Sequence, residues 1–205
     1  GGPGGAFFAG VIDAYTPFSI TEQVAAQVGF FRPPFLNDSL RDENELLFID
    51  RTVSGDSWAF RDQGVAFSFA FDQFSAVLGV QNGSDAQGDE LALMGRVEFN
   101  AMGAGQSSSE GAYGSSDDEN NLNLGVGYYD DGNLTDGTAM SFNVDYSRGP
   151  LYAAASLVDY DDGIPIGIQA DSTPWDLTVS YMFAPDEWEV AGRWEDFDDT
   201  NDSTM

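Results

Sequence analysis

The side chains in this chain that could do chemistry are seven arginines and 35 carboxylates, with no lysine, histidine or cysteine among its 205 residues. Four of the arginines, Arg32, Arg41, Arg51 and Arg61, fall inside one stretch, QVGFFRPPFLNDSLRDENELLFIDRTVSGDSWAFRDQ, from Gln27 to Gln63. A guanidinium can hold an oxyanion or pair with a carboxylate, so a cluster of this kind can either draw anions or pin a loop to its neighbours. Without histidine the commonest general base and zinc ligand are missing. Without cysteine there is no thiolate nucleophile or disulfide. The carboxylates leave two chemistries to weigh. With 35 acids, paired spacings of the glycosidase kind arise by chance, so the chain reads as a non-enzyme. The runs Asp130, Asp131 and Asp136; Asp159, Asp161 and Asp162; and Asp196, Asp198, Asp199 and Asp202 could offer loop oxygens to Ca²⁺. None follows the twelve-residue calcium-loop pattern, and solvated loop tips are the plainer reading, so no cofactor is expected beyond Ca²⁺ at those acidic loops.

The formal net charge of −28 repels phosphate backbones and argues against nucleic-acid binding. It also fits a protein adapted to salty water. At 42% hydrophobic and 14% aromatic, the chain carries enough apolar surface to order much of itself. No run approaches the roughly 18 apolar residues of a transmembrane helix. The opening GGPGG is a flexible start with no basic-then-apolar leader; an exported protein needs a leader upstream, so if this one is exported the expectation is a fragment or a mature chain.

The elements that must position these side chains are strands. Short segments alternate with period two and are separated by Gly, Asp and Asn turns. Val65, Phe67, Phe69 and Phe71 share one face against Ala66, Ser68 and Ala70, and after Asp72-Gln73 the partner places Phe74, Ala76, Leu78 and Val80 against Ser75, Gly79 and Gln81. Leu91, Leu93, Val97 and Phe99 oppose Ala92, Met94, Arg96 and Glu98; Leu122 to Tyr128 and Met140 to Tyr146 alternate with Asn, Gly, Ser and Asp. Leu177, Val179, Tyr181 and Phe183 oppose Thr178, Ser180 and Met182, and Trp188, Val190 and Trp194 oppose Glu189, Arg193 and Glu195. Segments 6–15, 23–31 and 151–160 are strand-like in composition, which brings the number to about ten. One face is rich in rings that gather near turns. The other is Gly, Ser, Ala, Asn and isolated charges. That division suits a lipid-facing band with aromatic girdles around a watery lumen, and the alternation points Arg96, Glu98, Glu189, Arg193 and Glu195 into that lumen. Short connections at 72–73, 148–150 and 184–187 alternate with longer ones at 32–63, 82–89, 130–138 and 161–174, as in outer-membrane barrels. The stretch 101–120 is long on the short-turn side and reads as a mobile, low-complexity insertion.

VGFFRPPF, LLFIDR, RDQGVAF and the later WEVAGRWEDFDD resemble, in order, elements of the phosphate-selective porin family of Gram-negative outer membranes. The resemblance implies an all-β, transmembrane, antiparallel up-and-down β-barrel, with these strands the middle of a roughly 16-stranded wall. Residues 1–205 would then form one incomplete barrel domain, with 32–63 as an inward constriction loop. It implies a homotrimer in the outer membrane, in contact with lipid and lipopolysaccharide and passing small ions or solutes. Carried over by motif, Arg51 in FIDR and Arg61 in RDQG are the constriction candidates, with Arg32 where the loop begins; the plainer role for Arg51 and Arg61 is pairing with Asp50, Asp62 or other acids. Phosphate selectivity runs against composition, because an anion-selective lumen is basic. Outside 32–63 three arginines face 28 acids.

The expectation is therefore a porin for passive diffusion of small hydrophilic solutes. Its alternative is a soluble or surface-exposed acidic β-sandwich that binds Ca²⁺ or glycans, in which the same rings would pack inward against a second sheet.

Overall fold

In the computed structural model the chain is described over residues 14–83, 91–103, 105, 109–112, 120–131, 137–161, 172–184 and 187–196. It is all-β. Ten antiparallel strands follow one another in a single sheet: β1 (Ala14–Ser19), β2 (Val24–Phe31), β3 (Asp62–Ala70), β4 (Phe74–Gln81), β5 (Ala92–Met102), β6 (Asn121–Asp131), β7 (Thr138–Arg148), β8 (Leu151–Asp161), β9 (Trp175–Ala184) and β10 (Trp188–Asp196). Every strand pairs with its neighbours in sequence, so the topology is up-and-down throughout. Among the described residues β1 and β10 do not pair with each other, and the sheet is open. The anticipated loop is slightly shorter than 32–63, because β3 already starts at Asp62. Residues 6–13 of the first anticipated strand, and much of the 82–89, 130–138, 161–174 and 101–120 connections, lie outside the described residues, as do Asp136, Asp162, Asp198, Asp199 and Asp202.

The two faces follow the alternation. Leu93, Val97, Leu124, Val126, Tyr128, Phe142, Val144, Leu177 and Tyr181 stand exposed on one side. Met94, Arg96, Asn123, Tyr129, Ser141, Asn143, Asp145, Asp176, Thr178 and Ser180 are buried on the other. This inverts the ordinary rule that apolar side chains go inside. The rings concentrate at strand ends: Phe74 stacks on Phe99 with centroids 4.7 Å apart, and Phe183 and Trp188 at one rim answer Trp175 and Trp194 at the other. No second sheet lies against those rings among the described residues. Strands β5 to β9 run 10 or 11 residues, which is the length a tilted strand needs to cross a bilayer.

Antiparallel pairing turns the inward residues into lateral rows. One row runs Met94, Tyr129, Ala139, Tyr160 across β5 to β8. The next is Arg96, Gly127, Ser141, Val158. Below it lie Glu98, Gly125, Asn143, Ser156, Asp176 and Glu195, reaching β10. The fourth is Asn100, Asn123, Asp145, Ala154, Thr178 and Arg193. The first row is apolar, and the other three are polar with small residues between.

Candidate functional site

The β2–β3 connection folds over these rows. Pro33 and Pro34 fix φ and remove two N–H donors, so the ladder of β2 stops at Phe31. Two short helices follow, α1 (Asn37–Leu40) and α2 (Val53–Ser57), with a 3₁₀ turn at Glu43–Glu45 between them. Thr52 caps α2 by accepting from the Gly55 N–H at 2.9 Å. The Asp38 carboxylate accepts from the Thr52 N–H at 3.0 Å and its hydroxyl at 2.8 Å, tying the two helices together.

The loop meets the wall along several rows. The apolar row receives Phe35, Leu36 and Trp58, all fully buried. Trp58 sits 4.0 Å from Phe35, 4.8 Å edge-on from Tyr129 and nearly parallel to Tyr160 at 6.2 Å, and its Nε1–H donates to the Tyr160 hydroxyl at 2.6 Å. In the next row the Phe35 carbonyl accepts from Arg96 at 3.0 Å and from the Ser141 hydroxyl at 2.8 Å. Gly127 lies between those two donors, and a Cβ there would stand 2.2 Å from the Phe35 oxygen and 2.4 Å from Ser141 Oγ. Only a bare backbone leaves room for the carbonyl. Gly127→Ala is expected to lift the loop off its cradle at a cost of about 1–3 kcal/mol. Limited proteolysis should then cut within 32–61 where the parent resists, and equal resistance would refute the cradle.

The arginines do not act alike. Arg32 donates to the carbonyls of Ser39 and Arg41 at 2.9 and 2.8 Å. Arg51 donates to those of Asp38 and Arg41. Both therefore clamp the backbone around residue 41. The Arg41 guanidinium is buried and points into the fourth row, donating to Asp145 at 3.0 Å and to the Tyr152 hydroxyl at 3.0 Å. Burial works against its charge, but Tyr152 and Asp145 outweigh that and hold its pKa above the ordinary value. Arg61 donates to the Ala59 carbonyl at 3.2 Å beside β3.

On the wall, Arg96 is buried and also bonds Glu98 at 2.9 Å and Asn143. Arg193 pairs with Glu110 at 3.1 Å and with Glu195 at 3.7 Å, donates to the Asp50 carbonyl at 2.9 Å and lies 4.2 Å over the Phe48 ring. Glu195 in turn accepts from the Val53 N–H at 2.9 Å. The loop is thus held from β5 across to β10. Glu189 accepts from the Ala112 N–H at 2.7 Å.

A second segment enters from the opposite rim. The Glu110 N–H donates to the Glu45 carbonyl at 2.7 Å, and the Glu110 carboxylate accepts from the Leu47 N–H at 2.9 Å. Residues 109–112, expected to belong to a mobile insertion, are instead docked, with Glu110 and Ala112 buried. A buried carboxylate needs a cation and donors, and Arg193 with the Leu47 N–H supplies them.

Three of these roles were not anticipated from residue types: Arg41 with Asp145 and Tyr152, Trp58 as a fully buried anchor with no face open for stacking a sugar, and Glu110 as a bridge. A pattern did exist for the second. Met94, Tyr129 and Tyr160 put apolar side chains on the otherwise polar face, all near the rim the long loop leaves from. Arg32, Arg51, Arg96, Arg193 and Glu195 lie in or against the loop, Glu98 bonds Arg96 on the wall, and Arg61 stays at the loop's end beside β3. No cluster of metal-ligating side chains occurs among the described residues.

No family model, curated protein or solved structure matches this chain.

Proposed function

We propose that this chain is wall and constriction of an outer-membrane porin, through which small hydrophilic solutes and ions diffuse passively. The observation that carries the reading is the inverted sheet: an apolar, ring-edged face with no partner layer among the described residues, backed by polar rows that a loop crosses from β5 to β10. In water such a face is an aggregation hazard; in hydrocarbon it is the required surface. The motif resemblance to phosphate-selective porins supports the same reading. In this reading the edges of β1 and β10 are paired by further strands, because unpaired backbone groups are not tolerated in lipid. Lipid and lipopolysaccharide are then the partners of the outer band, and a homotrimer is the assembly the resemblance implies. Residues 32–61 narrow the passage, with 109–112 meeting their tip.

A midplane charge tests this. Val126 lies at the centre of β6 on the exposed face. Val126→Arg is expected to cost about 2–4 kcal/mol in urea titrations of protein folded in lipid vesicles. On the exposed face of a protein in water the same change stays within about 0.5 kcal/mol. A small effect, together with free solubility in the absence of detergent, would sink the porin reading.

A further inference from the structure

We propose that the passage selects cations, and that the carboxylates on the free side of the inward loop set this preference; the inference rests on the porin reading. Four arginines in a constriction would ordinarily draw anions. Here they are turned away from the passage. Arg32 and Arg51 are folded onto carbonyls of residues 38, 39 and 41, Arg61 onto that of Ala59, and Arg41 is buried beneath the loop against Asp145. None of the four is exposed. The exposed ionic side chains of the same loop are Asp42, Glu43, Asp50 and Asp56, all acidic.

The wall under the loop adds to this. Arg96 is bonded there to Glu98, and Arg193 to Glu110 and Glu195, so both wall arginines are matched by carboxylates. The carboxylates paired with Arg41, Arg96 and Arg193 cancel most of their field at a distance; Arg32, Arg51 and Arg61 keep their charge, but it is folded back onto carbonyls while four acids stand exposed. The exposed acids have no such partner among the arginines, so an ion crossing the loop meets carboxylate first. A narrow channel with low-dielectric walls concentrates that field. No bound cation is implied: the acids raise the local concentration of cations in transit, and the substrate class is small inorganic or organic cations.

The experiment uses the full protein, purified in detergent and inserted into planar bilayers under a KCl gradient. The permeability ratio of K⁺ to Cl⁻ is expected to be about 5 or more near 0.1 M salt. It should fall toward unity at 1 M, as the screening length shrinks from about 10 Å to about 3 Å. Converting Asp42→Asn, Glu43→Gln, Asp50→Asn and Asp56→Asn together should lower the ratio at least about threefold at 0.1 M. Asp42→Arg with Glu43→Arg, a pair whose side chains cap no helix, should carry it below one. Channels that open but show a ratio at or below one, or a ratio that neither set of substitutions moves, overturn the selectivity inference and leave the porin standing. Failure to conduct at all, with solubility in the absence of detergent, overturns both.

Discussion

Trp58→Ala should release the inward loop while leaving the wall intact. The indole is fully buried, touches Phe35, Phe60, Tyr129 and Tyr160, and donates a hydrogen bond that ties the end of the loop to the apolar row. Truncating a buried tryptophan costs about 3–5 kcal/mol, a shift of about 10²–10⁴-fold in the balance between docked and released loop. The strands keep their ladders, since Trp58 contributes nothing to any of them, so the loss falls on the loop. Protease should cut within 32–61. On the proposed porin reading, conductance should also rise and flicker, while heat-sensitive mobility on gels should persist. Trp58→Phe keeps a ring in the socket and loses the bond to Tyr160, so it should cost only about 1 kcal/mol. If Trp58→Ala leaves both cleavage and conductance unchanged, the apolar row is not the loop's anchor.

How much of this could be read beforehand depends on whether a feature is local. The alternation of Leu93, Val97 and Phe99 against Met94, Arg96 and Glu98 is a property of one strand, and it gave the faces correctly. Up-and-down order followed from turns that are also local, such as Asp72-Gln73 and Arg148-Gly149. The apolar row was half legible. Tyr129 and Tyr160 break the polar face, and a broken alternation on one face signals that something apolar will cover it. That it would be Trp58, 71 residues from one and 102 from the other, depends on strand register. Register between distant strands is set by turn geometry and packing and is not written in any one segment. The docking of Glu110 was hidden for another reason. Its segment, rich in Gly and Ser, lacks any periodicity, and what orders it is the pair of N–H groups offered by Glu110 itself and Leu47 together with Arg193 on β10.

The sharpest case of a role hidden from composition is Arg41, and it gives the second large effect. FIDR and RDQG drew attention to Arg51 and Arg61, yet both donate to nearby backbone carbonyls of the loop, while Arg41 in SLRDE is the one that reaches the wall. Its carbonyl is gripped by Arg32 and Arg51 at once, which fixes the backbone from which its side chain descends to Asp145 and Tyr152. Arg41→Ala should leave Asp145 buried without the Arg41 guanidinium, with Asn37, Asn143 and Tyr152 among its remaining donors, at a cost of about 3–5 kcal/mol. Arg41→Met with Asp145→Asn removes both charges and keeps the volume, so it should recover most of that loss. The double-mutant cycle should show a coupling of about 2 kcal/mol or more. Arg41→Lys should not substitute, because the three N–H groups of an ammonium radiate from one nitrogen and cannot reproduce the two-nitrogen fork that spans Asp145 and Tyr152. Loop protection from protease is the readout for all three. An arginine that faced the passage would behave in the opposite way, changing ion preference on substitution and leaving loop stability alone. If Arg41→Ala and the double variant are equally destabilised, Asp145 is not the charge that Arg41 serves, and the loop is held by its rings and its other hydrogen bonds.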